Sequence, residues 1–453
     1  MTEVTEAAPV ESTDEHAVPR LIEGVSLCGE YEGGGYQEPR YLVSRGDGQM
    51  ILVSEMLYRV AESIDGERTL AEIAEDVRQN TGADVSAPGV EYLVNEKLHP
   101  MAIATLSEPV QDPPRSKPLL SLAMHGVLMP AKLVRRLAAV LAPLHSPVAV
   151  ALALCGLVTA DAWIVASGHL DQAIQHSVGD PAQVLAVIGL MQVMLIFHEL
   201  GHASGCRYSG AQPGAIGVGM LLVVPAFYTN VTDAYRLNRK GRLRTDLGGV
   251  YFTVIFIPVA TMLYGLTGYP PFLVCVALSH LNALQQLLPL LRLDGYYILG
   301  DLVGVPNLFA YVRPYLNRLM GKHTLQGRSH VHLRPKVRLI VTVWVATVVP
   351  VLVLALGSLL FRMPLYMSNA FTQGGKYWAY VVHGVGHGSP GLAALGLVSM
   401  IILLLPWLGA AAFLTRISQR ISRKVAAKRR TRLPRGRHRQ ARAPRRRPRV
   451  TAS

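Results

Sequence analysis

The sequence predicts an α-helical integral membrane protein of about six transmembrane helices with a re-entrant segment, preceded by a small N-terminal α+β winged-helix domain. Half of the 453 residues are hydrophobic and the mean hydropathy is +0.29, values typical of a membrane protein rather than a large soluble core. Residues 1–19 are acidic and lack the basic start and apolar core of a signal peptide. We therefore expect this segment to be disordered and cytoplasmic.

Residues 20–106 are expected to form the winged-helix domain. Strand-like runs at 41–43 and 50–53 precede an amphipathic stretch at 55–64. Thr69 is placed to cap a second helix whose apolar positions follow helical spacing, and a third candidate helix covers 88–98. A proline-rich linker at 107–118 then separates this domain from the membrane domain, residues 119–415.

Six segments have about the 20 apolar residues that are needed to cross the hydrocarbon layer. They are 147–165, 182–202, 247–266, 272–291, 337–360 and 392–414. Between the second and third lies a shorter, glycine-rich apolar piece, 215–227. Its length predicts a re-entrant hairpin or a strand pair buried within the protein.

The basic residues orient these spans. The loops before the first and third spans, the loop between the fourth and fifth, and the tail 416–453 carry most of the Lys and Arg, and all fall on one side of a six-span arrangement. We therefore expect a multi-pass cell-membrane protein with both termini cytoplasmic.

The tail accounts for the excess positive charge. It holds 16 of the 44 Lys and Arg, so the rest of the chain has 28 basic against 30 acidic residues. Directly after an apolar span, such a run is typical of a flank attracted to anionic lipid, whereas a nucleic-acid arm is the other reading. We expect membrane lipid as its partner and no nucleic acid.

The second span contains the motif His-Glu-Leu-Gly-His at 198–202. On a helix of 3.6 residues per turn, His198 and His202 share one face and can reach one metal ion, with Glu199 beside them as a general base. The alternative is that these groups cap the wet end of an ordinary span. Because ionisable groups at membrane depth are costly, their clustering favours a functional site.

A hydrolytic zinc site uses three protein ligands and leaves a fourth position open, so two histidines are incomplete. The fourth span ends at Leu293-Asp294-Gly295, which supplies a carboxylate at the same predicted depth. Pro289 can end the helix there and Gly295 permits a close backbone approach. A plain cytoplasmic turn is the other reading of this Asp-Gly pair.

HELGH on one span with Leu-Asp-Gly after a later one resembles the site-2 protease family of intramembrane zinc metalloproteases, and the run 293–299 is similar to its branch of peptide zinc metalloproteases. The resemblance covers about 182–304. It implies Zn²⁺ held by His198, His202 and Asp294, with Glu199 activating water. Many members have an Asn where this chain has Gln286, so the resemblance implies that Gln286 or Asn282 contacts the substrate or oxyanion.

Residues 52–77 are similar to PqqD-like leader-recognition domains of ribosomal peptide pathways, which are winged helices that bind a leader peptide as an added strand. A generic winged helix is the alternative. The resemblance implies that a precursor peptide is recruited here, so we expect a zinc endopeptidase that matures a ribosomally synthesised modified peptide. Two alternatives are regulated cleavage of a membrane-anchored regulator and a non-catalytic peptide-binding export or scaffold protein. The sequence predicts no oligomeric state.

A second histidine pair, His383 and His387, lies in the segment between the fifth and sixth spans. Glycines flank both residues, and glycine weakens helices, so we expect a loop there. The strand-like segment 215–227 can either pair with an extended substrate or serve only as a packing element.

Overall fold

The computed structural model describes residues 17–106, 123–221, 224–319 and 333–432. The expectations for most of the acidic N-terminus, the proline-rich linker and the end of the basic tail lie outside the described residues. The statements below concern the described parts of the chain.

The N-terminal domain combines two small antiparallel sheets with three helices. Its strands are β1 (Arg20–Leu21), β2 (Ser26–Glu30), β3 (Arg40–Ser44), β4 (Met50–Ser54) and β5 (Ala104–Thr105). Its helices are α1 (Glu55–Ser63), α2 (Leu70–Thr81) and α3 (Ala87–Leu93), the last continued by a π-helical turn at Val94–Leu98. β2, β3 and β4 pair in that order, and β1 pairs with β5.

Local signals account for most of these elements. The Thr69 side chain accepts a hydrogen bond from the amide of Glu72, and the Glu72 carboxylate accepts one from the amide of Thr69. The predicted helix start is therefore a complete capping box. The apolar positions Leu70, Ile73 and Val77 are fully buried in the domain core. The strands and helices predicted here are present, although β1, β2 and β5 were not predicted. The winged-helix assignment itself stays a prediction.

The rest of the described chain is mainly helical. Its helices are α4 (Ala131–Leu141), α5 (Pro147–Ser167), α6 (His169–Gly179), α7 (Pro181–Tyr208), α8 (Arg239–Thr267), α9 (Pro270–Leu287), α10 (Asp294–Val303), α11 (Val312–Leu319), α12 (Pro335–Phe361), α13 (Met363–Gly386) and α14 (Pro390–Arg432). Short 3₁₀ turns lie at Ala142–His145, Thr232–Arg236 and Leu308–Tyr311.

Five of these helices, within the described residues, are long and apolar enough to cross a membrane. They are α5, α7, α8, α12 and the Pro390–Ala411 part of α14. The protein is therefore an α-helical multi-pass membrane protein, and five of the six predicted spans are confirmed as apolar helices of sufficient length. The fourth predicted span corresponds to α9, which is not among them. α9 has 18 residues and carries polar side chains that include His280, Asn282 and Gln286.

The prediction of a loop around His383 and His387 is wrong. His383 lies within α13 and His387 follows its last residue. Gly384 is buried, and a Cβ there would lie 2.5 Å from the amide nitrogen of Ala393 on α14. Close packing of two helices through a small residue has therefore outweighed the low helix propensity of glycine.

A three-stranded sheet lies beside α7 in the membrane domain. Its strands are β6 (Ala123–Met129), β7 (Ile216–Leu221) and β8 (Val224–Thr229), paired antiparallel in that order. The strand pair predicted for 215–227 is thus present, and the sequence did not indicate that β6 would join it. Placement of this hairpin as a re-entrant segment stays a prediction.

Candidate metal centre

The motif residues lie on the buried C-terminal half of α7. His198, Glu199 and His202 are 1%, 8% and 9% exposed, although the preceding part of the helix is largely apolar. The spacing of four residues puts both imidazoles on one face. Nε2 of His198 lies 3.3 Å from Nε2 of His202.

Asp294, the first residue of α10, joins the two histidines. Its Oδ2 lies 3.1 Å from Nε2 of His198 and its Oδ1 lies 3.3 Å from Nε2 of His202. Gly295 allows this approach because a Cβ there would lie 2.2 Å from the carbonyl oxygen of Leu287, the last residue of α9. Burial alone raises the pKa of the Asp294 carboxyl, but the adjacent histidines outweigh burial and hold it below its usual range.

The donor set fits zinc. Ligand atoms that each bind Zn²⁺ at about 2.0–2.1 Å with tetrahedral angles stand about 3.4 Å apart. The three separations among the two Nε2 atoms and the carboxylate oxygens, 3.1 to 3.3 Å, are close to that value. Two imidazoles and one carboxylate also match a hydrolytic site that keeps one position open. His198, His202 and Asp294 can therefore hold a metal ion together.

Residues of α8 contact the Nδ1 atoms of both histidines, on the side of each ring away from the cluster. Nδ1 of His198 lies 3.1 Å from Oγ1 of Thr253, and Nδ1 of His202 lies 2.9 Å from the carbonyl oxygen of Thr245. A carbonyl can only accept, so His202 donates from Nδ1 and presents the lone pair of Nε2 to the cluster. Thr253 Oγ1 also lies 3.3 Å from the carbonyl oxygen of Gly249, to which it can donate while accepting from His198.

Glycines bring α7 and α8 together at the site. A Cβ on Gly201 would lie 2.2 Å from the carbonyl oxygen of Gly248, and one on Gly248 would lie 2.4 Å from that of Gly201. A Cβ on Gly249 would lie 2.4 Å from Nε2 of both histidines. Position 249 therefore lies directly against the two Nε2 atoms, and we call this position the floor of the cluster. Only glycine, which has a hydrogen in place of Cβ, leaves room for the ligand atoms there.

Glu199 is held by the end of β8. Oγ1 of Thr229 lies 2.6 Å from Oε2 of Glu199 and 2.9 Å from its carbonyl oxygen. The single hydroxyl proton can be donated to one of these oxygens at a time. The hairpin is thereby fixed against the carboxylate that stands beside the ligand cluster.

Asn282 and Gln286 lie on α9, which ends next to Gly295. Asn282 Oδ1 and Gln286 Oε1 are buried and have no hydrogen-bond partner. Buried polar atoms are usually paired, so these two amides are available to a bound molecule or to water. Within the described residues, neither amide oxygen is hydrogen-bonded to the ligand cluster, and a role of these two residues towards a substrate stays a prediction.

The sequence reading missed the residues that support the ligands. Gly249 and Thr253 were treated only as parts of the apolar span 247–266. Thr245, just before that span, and Thr229, just after the apolar piece 215–227, were assigned no role. One signal was available. The pair Gly248-Gly249 inside a long span is unusual for a helix interior and indicates a close backbone approach.

The fold and the cluster define a multi-pass membrane protein with a potential metal site of two histidines and an aspartate. The chain is 27% identical over 118 residues to a protein of Bacillus subtilis (strain 168) with the name "Putative peptide zinc metalloprotease protein YydH". The match covers 26% of this chain and 46% of that protein, so it spans less than half of the relative's length. No family model matches the chain. No solved structure matches it either.

Proposed function

We propose that this protein is a membrane-embedded zinc endopeptidase of the site-2 protease type that cleaves a peptide near the cytoplasmic leaflet. The observation that carries the proposal is the ligand cluster: two Nε2 atoms 3.3 Å apart, each within 3.3 Å of Asp294, beside the buried carboxylate of Glu199. A buried group of this kind is costly in a membrane protein unless it serves a function. Similarity to a protein named as a peptide zinc metalloprotease points the same way.

His198, His202 and Asp294 would hold the zinc ion. When bound, zinc lowers the pKa of a water ligand from 15.7 to about 7 and polarises the scissile carbonyl. Glu199 accepts the proton of the attacking water and passes it to the leaving amine. Thr229 orients Glu199 through its 2.6 Å contact with Oε2. The unpaired oxygens of Asn282 and Gln286 can accept hydrogen bonds from amides of the substrate backbone. Contact with the oxyanion would instead use the NH2 groups of these side chains as donors.

An extended substrate can reach the cluster along β8. This strand lies at one edge of the sheet β6-β7-β8, and its last residue, Thr229, contacts Glu199. A peptide bond within a helix hides its carbonyl, so a substrate has to present extended backbone. Strand addition at an open edge supplies this conformation. Pairing with β8 would bring the peptide to the general base.

The N-terminal domain is proposed to recruit a leader-bearing precursor of a ribosomally synthesised modified peptide. β2 lies at one edge of the sheet β2-β3-β4 and offers main-chain groups for an added strand. The distribution of basic residues among the loops supports a cytoplasmic location for both termini, and the basic tail is proposed to bind anionic lipid. Precursor, leader and catalytic cluster then lie on the same side of the membrane.

The proposal is tested with full-length protein in detergent and a precursor peptide that carries its leader. Zinc content and cleavage are measured for the wild type, Glu199→Gln and Asp294→Asn. We expect about one zinc and cleavage in the wild type, zinc without cleavage in Glu199→Gln, and loss of zinc in Asp294→Asn. Asp161→Asn is the matched control, because Asp161 Oδ1 also contacts an imidazole, that of His280, at 3.2 Å.

The outcomes separate the competing functions. Cleavage that requires the leader supports precursor maturation. Cleavage of a single-span regulator, with no effect on leader peptides, assigns the site to regulated intramembrane proteolysis. Zinc binding in all variants together with peptide maturation that does not depend on Glu199 would assign a non-catalytic scaffold.

A further inference from the structure

Residues 31–36, the first part of the loop between β2 and β3, pack against the membrane domain; we call this segment the docking loop. The amide of Gly35 donates to the carbonyl oxygen of Gly304 at 2.9 Å, and its own carbonyl accepts from the amide of Arg334 at 3.0 Å. A Cβ on Gly35 would lie 2.1 Å from the carbonyl oxygen of Val303. The loop therefore lies flush against the end of α10 and the start of α12, without space for a side chain.

Arg242 is the centre of this contact. It is the fourth residue of α8, and the residue is 2% exposed. Nε donates to Oδ1 of Asp301 at 3.1 Å, Nη1 to the carbonyl oxygen of Leu237 at 2.7 Å, and Nη2 to the carbonyl oxygen of Glu32 in the docking loop at 2.9 Å. All three guanidinium nitrogens are thus engaged, and one of their acceptors belongs to the N-terminal domain.

Tyr31 closes the same buried pair from the docking loop. Its hydroxyl donates to Oδ1 of Asp301 at 3.2 Å, and the guanidinium carbon of Arg242 lies 4.2 Å from the centre of its ring. Burial raises the pKa of the Tyr31 phenol, so the hydroxyl stays protonated and remains a donor. Without the docking loop, both members of the buried ion pair lose partners, a state that proteins tolerate poorly.

Arg242 and Asp301 stand on the two helices that complete the metal cluster around α7. Arg242 precedes Thr245 by less than one turn of α8, and the Thr245 carbonyl orients His202. Asp301 is two turns beyond Asp294 on α10, on the same face of that helix. The ion pair therefore fixes the separation between the helix that orients a histidine and the helix that supplies the carboxylate.

We propose that the docking loop is a positioning element of the metal centre and that Arg242 is the positioning residue through which it acts. The N-terminal domain is then held rigidly against the membrane domain, so any peptide that it recruits is presented from a fixed position. The inference rests on the proposed function, because the geometry it controls is that of the proposed zinc ligands. Undocking the loop loosens α10 and weakens zinc retention without touching a ligand.

Two measurements on full-length protein in detergent test this inference. Hydrogen exchange of α10 reports docking with or without metal, and the rate of zinc transfer to a chelator reports ligand geometry. Gly35→Ala and Arg242→Met should each raise exchange in α10 and speed zinc transfer by at least about tenfold, the range seen when partners of metal ligands are lost. Tyr31→Phe, which removes one hydroxyl, should give a smaller change of the same sign.

One matched control lies in the N-terminal domain and the other on α8. Gly89→Ala changes a glycine of α3 whose nearest neighbours are side-chain atoms of Val85 and Ser86, and Arg244→Met removes an exposed cation of α8. Neither should alter α10 exchange or zinc transfer. The inference is overturned if Gly35→Ala, Arg242→Met and Tyr31→Phe leave both readouts at wild-type values. A wild type without zinc would refute the proposed function, and α10 exchange would still decide the docking role.

Discussion

Gly249→Ala is the substitution that most sharply tests the geometry of the cluster. The new Cβ would lie 2.4 Å from Nε2 of both His198 and His202, whereas ordinary contact begins at 3.4 Å. The ligand atoms, or the helix, would have to move by about 1 Å, several times the deviation of about 0.2 Å that a metal site tolerates. We expect zinc affinity to fall at least about 100-fold, the upper end of the effect of losing a supporting partner.

The sign of the stability change separates this effect from general damage. Alanine is a better helix former than glycine by about 0.8–1.0 kcal/mol, so a glycine in an open part of α8 should be stabilised by substitution. Gly265 is such a position, because a Cβ there would meet nothing within 4 Å. Gly265→Ala should keep its zinc and unfold at an equal or higher temperature.

The assay is chelator competition for zinc, with thermal unfolding measured on the same samples. Gly249→Ala should lose zinc while Gly265→Ala retains it. Wild-type zinc affinity in Gly249→Ala would show that the Nε2 atoms do not point at the floor formed by α8. The proposed ligand set would then have to be abandoned.

Three further predictions concern a residue that holds a histidine of the cluster, a helix cap in the N-terminal domain and a buried histidine. Thr253→Val removes the hydroxyl that lies 3.1 Å from Nδ1 of His198 and should lower zinc affinity about 10–100-fold in chelator competition, whereas Thr253→Ser should keep it. Thr69→Ala removes the capping box of α2 and should cost about 1 kcal/mol in the N-terminal domain, seen as faster hydrogen exchange of α2 with zinc content unchanged; equal exchange would contradict the cap. Burial lowers the pKa of His145 from 6.5 to about 4. Between these pH values the native state therefore binds fewer protons than the unfolded state. The contribution of neutral His145 to stability is complete above pH 6.5 and should fall as the pH drops towards 4. The melting temperature should therefore fall more between pH 7 and pH 5 in the wild type than in His145→Gln, and equal falls would rule this out.

The clustering of His198, His202 and Asp294 could be predicted because its sequence signals are local. The spacing of His198 and His202 follows from helix geometry. Asp294 comes after Pro289, which can end a helix, and is itself the first residue of the next helix. Their meeting in space required only matching depths of two predicted spans. The elements of the N-terminal domain were equally readable, since Thr69 and the periodic apolar residues after it mark a helix by themselves.

What the sequence did not disclose depends on contacts between distant segments. Arg242 looked like one of several basic residues before a span, yet it is buried against Asp301 and the docking loop. Gly35 and Gly304 carried no motif, although their main chains are hydrogen-bonded. The helix around His383 was not predicted because it depends on the packing of Gly384 against α14. Helix propensities do not take such packing into account.

X-ray absorption at the zinc edge of the purified full-length protein tests the central claim most directly. We predict two imidazole nitrogens and carboxylate oxygen at about 2.0–2.2 Å, with a weaker oxygen contribution in Asp294→Asn if that protein keeps any zinc. A sulfur ligand at about 2.3 Å would implicate a cysteine such as Cys206, which lies one turn after His202. That result, or a wild-type protein that binds no zinc, would contradict the assignment of His198, His202 and Asp294.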